Sequence, residues 1–414
     1  MTARQELLAA YRAAVAAVDP RARVRDYLAC NDSPSPCYVV AVGKAAVAMT
    51  EGALDAGVDV AEGVVVYPDT VDPAPVHHRL RYRPAAHPIP DERSLEAGHD
   101  VMALVDGAPR DARFLFLLSG GASSLLEALA DDGGASALAS LNQRLLGDGL
   151  PIHAMNRIRR AVSRLKGGRL GARLAGRRAL ALFVSDVAGD DPAVIGSGLV
   201  VPPPEGPSRP ADLPAEYGHL LAPAPAGPAP GDPRLGGVEA VVIACNRDAL
   251  AAARDSLGAH GLPVRIEPAF LDGDALATGK WLAQRLRQAP PGCCIWGAEP
   301  TVVLPPSPGD GGRMQALALA AACDLAGARD VTLLAAGTDG LDGVGGAAGA
   351  VVDAGTLARG RALGRDADQA LRDADAGGYL AATGDQLVTG PTGTNVMDIV
   401  IGCRSGAKAV DHDG

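Results

Sequence analysis

Lysine is scarce in this chain: of 38 lysine and arginine residues, only Lys44, Lys166, Lys280 and Lys408 are lysines. Lys44 stands directly after an apolar run at 38–42 and Gly43, and ahead of a stretch of helical period. At such a strand end and helix start an ammonium reaches a phosphate as a mobile point charge; the plainer alternative is a lysine on a surface helix. Moving a phosphoryl group also requires its charge to be neutralised, usually by Mg2+ on one or two carboxylates, and the acceptor hydroxyl to be oriented or deprotonated. Arg313 follows Gly311-Gly312 and opens a strongly helical stretch at 314–325, which makes it a second cation at the mouth of an element. Carboxylates follow two other apolar runs, in Ser185-Asp186-Val187-Ala188-Gly189-Asp190-Asp191-Pro192 and in Thr338-Asp339-Gly340-Leu341-Asp342-Gly343. In each run one carboxylate can bind metal or take a proton from a hydroxyl, while another can cap the following turn.

Glycine and hydroxyl residues gather at the same kind of position. Ser119-Gly120-Gly121-Ala122-Ser123-Ser124, Gly196-Ser197-Gly198, Gly311-Gly312, residues 337–346 and Gly390-Pro391-Thr392-Gly393-Thr394 can each hold an anion on backbone N–H donors. A single loop of this kind means little, because tight turns need glycine for their own sake. The whole set, with no GxxxxGK[ST] and no clean GxGxxG, points to a phosphate-handling site of another design and away from an ordinary nicotinamide enzyme. Ser119 and Ser123 lack a GxSxG elbow, so backbone contact to phosphate suits their loop better than nucleophilic attack. His77-His78 and His87 have no third partner at zinc-like spacing. His87-Pro88-Ile89-Pro90-Asp91 reads as a stiff loop carrying one useful side chain.

The elements that must carry these residues alternate between strand and helix. Short Val/Ile/Leu-rich runs at 38–42, 63–67, 114–118, 179–185, 238–244, 264–268, 294–297, 331–335 and 396–401 each end in small residues and pass into helical stretches. Runs apolar on both faces predict buried parallel sheets. From 201 to 237 proline and small residues dominate, with one short helix expected at 213–220. The domain boundary is placed there: an N-terminal domain at 1–236, with 202–236 as its Pro-rich linker, and a C-terminal domain at 237–414. Two domains also suit 414 residues.

Composition narrows the partners. A net charge of −10 has the wrong sign for gripping nucleic acid or an anionic membrane through general electrostatics. The seven cysteines form no CxxC pair and read as reduced core residues. Residues 3–18 form an amphipathic helix pattern that stops before Pro20, without the order of a signal peptide, and no span of twenty apolar residues follows. A cytoplasmic, unanchored protein is expected, with a homodimer left open.

Taken together, the motifs resemble the bacterial and archaeal glycerate 2-kinases, also called class II glycerate kinases or the MOFRL family, over nearly the whole length. The resemblance rests on Ala41-Val42-Gly43-Lys44-Ala45-Ala46, His87-Pro88-Ile89-Pro90-Asp91, Leu118-Ser119-Gly120-Gly121-Ala122-Ser123, Asn156-Arg157-Ile158-Arg159 and Lys166-Gly167-Gly168-Arg169-Leu170. It continues through Ser185-Asp186-Val187, Gly189-Asp190-Asp191-Pro192, Thr338-Asp339-Gly340, Asp342-Gly343 and Thr389-Gly390-Pro391-Thr392-Gly393-Thr394-Asn395. The resemblance implies ATP-dependent, Mg2+-assisted phosphorylation of D-glycerate at its 2-hydroxyl. It further implies an α/β fold in which a Rossmann-like N-terminal domain and a smaller C-terminal α/β domain flank an active-site cleft. By the same resemblance Lys44, Asp186 and Arg313 are catalytic. Ser119, Gly120, Gly121, Ser123, Lys166, Gly167, Gly390, Thr392, Gly393 and Asn395 bind nucleotide phosphates, and His87, Glu299 and Asp339 bind the acceptor. Asp190 and Asp191 are the metal candidates.

Three departures bear on the acceptor. Where the family usually has Gly-Arg-Asn-Gln the chain has Gly312-Arg313-Met314-Gln315; where it has Gly-Gly-Glu-Thr, Gly297-Ala298-Glu299-Pro300 stands; and a Pro-Thr-Asp run is replaced by Val344-Gly345-Gly346. Lost polar partners change specificity strongly, so these departures predict a modified or larger hydroxy acid as acceptor. Two other readings compete: an NAD(P)-dependent hydroxypyruvate-type reductase, and a non-catalytic relative that binds nucleotide or metabolite.

Overall fold

The computed structural model describes residues 2–32, 35–130, 134–148, 150, 152–259, 263–328 and 330–405. It is an α/β protein of two units, one formed by Asp19–Cys245 and the other by Met1–Val18 with Asn246–Gly414.

Six strands build the sheet of the Asp19–Cys245 unit: β1 (Cys37–Val42), β2 (Val60–Pro68), β3 (Leu80–Ala85), β4 (Phe114–Leu118), β5 (Ala179–Val184) and β6 (Val238–Ala244). All pairings are parallel and the order is β3-β2-β1-β4-β5-β6. That is the Rossmann strand order, with the reversal of direction between β1 and β4, where ligands gather at the carboxyl ends of the strands. The central strands are buried on both faces: Val40, Val64, Phe116 and Phe183 share a core with Ala97, Val101 and Val105 of the helix Glu92–Gly107.

Contacts divide the chain elsewhere than at 236/237. Tyr217 and Leu221 pack with Leu138, Leu141, Leu145, Ile158 and Val162, and Ala224 N donates to Ala161 O at 2.7 Å. The Pro-rich segment is therefore fastened to the first unit, and the chain returns through it to add β6 beside β5. The helix expected at 213–220 does not form: a 3-10 turn, Pro210–Asp212, precedes the segment, and the segment itself is a run of turns in which Tyr217 N donates to Pro214 O at 3.0 Å and Leu220 N to Tyr217 O at 2.9 Å. The first helix, Ala3–Ala17, is capped by Thr2 and belongs to the other unit, where Tyr11 Oη donates to Gly337 O at 2.6 Å.

The second sheet comprises β7 (Val264–Ile266), β8 (Gly292–Ala298), β9 (Val331–Gly337), β10 (Gly349–Asp353), β11 (Gln386–Leu387) and β12 (Asp398–Arg404), in the order β11-β10-β9-β12-β8-β7. Only β7 and β8 run parallel; the remaining pairs are antiparallel, which corrects the expectation of parallel sheets throughout. The apolar runs misled because helices cover this sheet: Trp296, Leu333, Ala335 and Val400 pack with Leu282, Leu286, Leu317 and Ala321. Cys293 and Cys403, opposite each other across β8 and β12, form a disulfide, so the cysteines are not all reduced.

Candidate active site

Lys44 lies in the turn that leaves β1, and the neighbouring backbone fixes that turn. Gly43 has φ +132, and a Cβ there would stand 2.2 Å from Ser119 Oγ, so only glycine fits. Lys44 N donates to Gly120 O at 2.8 Å, and Ala45 N donates to Ser119 Oγ at 3.1 Å. The loops closing β1 and β4 are thereby tied together at the reversal point, with the exposed Lys44 side chain left over them.

Two further groups meet it there. A methyl on Gly121 would lie 3.2 Å from both Lys44 Cγ and His87 Nε2, and one on Gly120 would lie 1.9 Å from Asp186 Oδ2. Glycine at 120 is required by the close approach of Asp186 from the end of β5. Burial raises the Asp186 pKa above the usual carboxylate range, opposed by the charge of Lys44. Burial, assisted by Lys44, pushes His87 down to about 4, so at neutral pH it is a neutral imidazole. A carboxylate with raised basicity under the influence of the Lys44 ammonium is suited to accepting a hydroxyl proton while an anion is held nearby.

His87, Ser123, Asn156, Asp186 and Ser197 line a cavity of about 230 Å3 in this unit. A larger cavity of about 610 Å3 lies at the opposite, amino-terminal ends of β4, β5 and β6, around Arg113, Arg178 and Val238, and none of the sequence candidates lines it.

Several residues expected to touch phosphate hold the scaffold instead. The Ser119 hydroxyl is buried and committed to Ala45 N. Lys166 is buried, with its ammonium on Glu127 and on Leu126 O. Gly167 N donates to Ser197 O at 3.1 Å and Gly168 N to Gly198 O at 2.7 Å, so the Lys166-Gly167-Gly168 segment braces the wall of the cavity. Ser123 does face the cavity, its Oγ 2.9 Å from Ser197 Oγ. Asp191 Oδ1 caps the turn after β5 by accepting from Ala193 N at 2.9 Å, and Asp190 occupies a left-handed position in that turn, φ +56. Among the described residues no three of His, Cys, Asp and Glu converge to hold a metal ion.

In the other unit Arg313 opens the helix Arg313–Leu325. Its Nε and Nη2 donate to the two oxygens of Asp398 at 2.8 and 3.2 Å, and Glu299 lies 3.7 Å from Nη1. Asp342 caps this helix from the loop after β9, accepting from Met314 N at 2.9 Å and Gln315 N at 2.7 Å. Burial raises Asp398 to about 7, against the attraction of Arg313. Asp339 closes its own turn, its Oδ1 accepting from Leu341 N at 3.0 Å, while its carbonyl accepts from Thr392 N at 3.1 Å. Thr392 Oγ1 donates to Thr338 O at 2.6 Å, and Asn395 Oδ1 accepts from Met397 N at 3.0 Å. Gly390 and Gly393 adopt positive φ in the same loop. The Thr392 and Asn395 side chains thus bond within their own loop. Met314 is fully buried in the hydrophobic core and so faces no site in this chain.

Sequence reasoning assigned no role to Asp398 or to the cavity-lining Asn142 and Arg159. Asp398 begins an apolar strand, and Arg159 stands among Arg157, Arg160 and Arg164, where residue type alone singles out none of them.

A parallel sheet in Rossmann order, with a lysine, a carboxylate and an imidazole gathered at its reversal point, is the framework of an α/β enzyme that handles anionic ligands. The described "Domain of unknown function (DUF4147)" matches residues 6–224 and the MOFRL family matches residues 292–398. The chain is 35% identical to D-glycerate 2-kinase of Thermotoga maritima, over 88% of this chain and 89% of that protein. It is 37% identical to a putative hydroxypyruvate reductase of Agrobacterium vitis, over 96% and 94% of the two chains. The crystal structure of glycerate kinase from Thermotoga maritima superposes with a TM-score of 0.86 at 33% identity, covering 96% of this chain and 98% of that one. The chain belongs to the glycerate 2-kinase family that carries the MOFRL domain.

Proposed function

We propose that this chain transfers the terminal phosphate of ATP to the 2-hydroxyl of D-glycerate or a closely related small hydroxy acid. The observation that carries the reading is Lys44 at the reversal point of a Rossmann-ordered sheet, held there by Gly43 and Gly120 with Asp186 and His87 beside it. The acceptor oxygen bonds to the γ-phosphorus, the bond from that phosphorus to the β,γ-bridging oxygen breaks, and the hydroxyl proton passes to the Asp186 carboxylate. Lys44 holds the charge that develops on the moving group. His87, neutral at working pH, orients the acceptor by a hydrogen bond and carries no proton away. Arg313, fixed by Asp398, is assigned to anion binding.

Magnesium arrives on the nucleotide as part of the substrate. The residues fit that arrangement, since Mg2+ keeps water and phosphate oxygens and needs only one or two carboxylates, which Asp190 and Asp191 in the turn after β5 would supply.

Similarity to the putative hydroxypyruvate reductase of Agrobacterium vitis favours a second reading, a hydroxypyruvate reductase. Against it, β1 closes on Val42-Gly43-Lys44-Ala45, with no dinucleotide fingerprint. One set of assays separates the two. ADP release with ATP and D-glycerate, stopped by chelator and restored by Mg2+, supports the kinase. NADH oxidation with hydroxypyruvate and no ADP release would replace it with the reductase.

A further inference from the structure

Among the charged residues that line the cavity of about 230 Å3, one has no role in the reading above. Arg159, in the last turn of the helix Ile152–Val162, lines it with His87, Ser123, Asn156, Asp186 and Ser197. Its Nε donates to Asn142 Oδ1 at 3.1 Å, and Asn142 is itself oriented by donating through Nδ2 to Leu138 O at 2.9 Å. The partner is thus a neutral amide. Among the described residues no carboxylate lies within ion-pair distance of Arg159, although arginines elsewhere in the chain are widely paired. Burial weakens the hold of this guanidinium on its proton, and the opposing charge, Glu127, is already taken by Lys166. A half-buried guanidinium with a neutral partner, facing a polar cavity, calls for an anion.

The size and the remaining walls say which anion. Sites for drug-sized ligands run to roughly 300–1,000 Å3, so this cavity is too small for a whole nucleotide and suits an acid of a few carbons. Asp186 lines it also, and the cation acting on that carboxylate is Lys44. A 2-hydroxy acid has a carboxylate and a hydroxyl on adjacent carbons, one for each of these two groups. The third wall is a hydrogen-bonded set: Ser123 Oγ lies 2.9 Å from Ser197 Oγ, which donates to Asn156 Oδ1 at 3.2 Å. It offers partners to a second hydroxyl.

We propose that this cavity is the hydroxy-acid subsite and that Arg159 recognises the carboxylate of the acceptor. The inference rests on the kinase reading above and assigns its acceptor a place. The test compares wild type, Arg159→Gln and Arg159→Lys with D-glycerate and with D-glyceramide, its neutral amide. For Arg159→Gln, kcat/KM on D-glycerate is expected to fall roughly 10- to 100-fold, mainly through KM, as for loss of a charged hydrogen bond. The preference for acid over amide collapses, Arg159→Lys recovers part of it, and KM for ATP stays within about twofold. An intact preference for the acid in Arg159→Gln, or a loss carried by KM for ATP, overturns the proposal. If wild type forms no ADP with any hydroxy acid, the kinase reading fails separately. Calorimetry with D-glycerate then decides the subsite: binding to wild type that Arg159→Gln lacks supports it, and equal or absent binding overturns it.

Discussion

Asp398 carries the clearest pH-dependent consequence of the side-chain arrangement. Its ordinary value is 3.8, and burial raises it to about 7 even though Arg313 pairs with it. The folded chain therefore keeps a proton that the unfolded chain has lost between those values. Stability from this group is fully present below about 4 and is lost as pH rises through 7. Asp398→Asn removes the titration. The melting temperature of wild type relative to this variant is expected to decline between about pH 5 and about pH 8 by several degrees, at about 2–4 °C per kcal/mol for a unit of this size. Two parallel curves would contradict the assignment. Residue types made Lys44 and its glycines legible, because a lysine between two constrained turns has few other uses. Residue type could not show that Ser119, Thr392 and Asn395 bond to nearby backbone, because polar side chains in loops satisfy backbone groups as readily as a ligand.

At the scale of elements, the Lys166-Gly167-Gly168 segment shows how a motif can serve a site without touching ligand. Its lysine and Glu127 are an ion pair buried at 1% and 2% exposure, and its glycine amides bind the carbonyls of Ser197 and Gly198 behind the cavity. Removing one member of such a pair leaves an uncompensated buried charge. Lys166→Met should cost roughly 3–5 kcal/mol in denaturant unfolding, and a loss below about 1 kcal/mol, the usual worth of an exposed pair, would contradict the structural role. Most strands were legible from apolar runs, but three were not. β3 carries Arg81 and Arg83 and reads as polar, β10 follows a glycine-rich loop that itself reads as an anion site, and β11 has only Gln386 and Leu387. Strand direction in the second sheet was hidden because burial on both faces erases the alternation that marks an antiparallel pair.

For the whole molecule, a linear boundary could not describe the division that contacts make. Met1–Val18 belongs with Asn246–Gly414, and the proline-rich stretch that looks like a linker is packed against the first unit by Tyr217 and Leu221. Composition marks where a chain is irregular, whereas unit membership depends on distant apolar partners that no local window contains. No helix among the described residues is long and apolar enough to cross a membrane. Of the three departures that suggested an altered acceptor, the one at Met314 loses force because that residue lies inside the core, while those at Pro300 and Val344-Gly346 stand. The account stands on Lys44, exposed and outside any core, so Lys44→Ala should leave the melting temperature unchanged while ADP formation with D-glycerate falls by roughly 100- to 1,000-fold in kcat. A folded Lys44→Ala protein that still releases ADP at the wild-type rate would contradict the assignment.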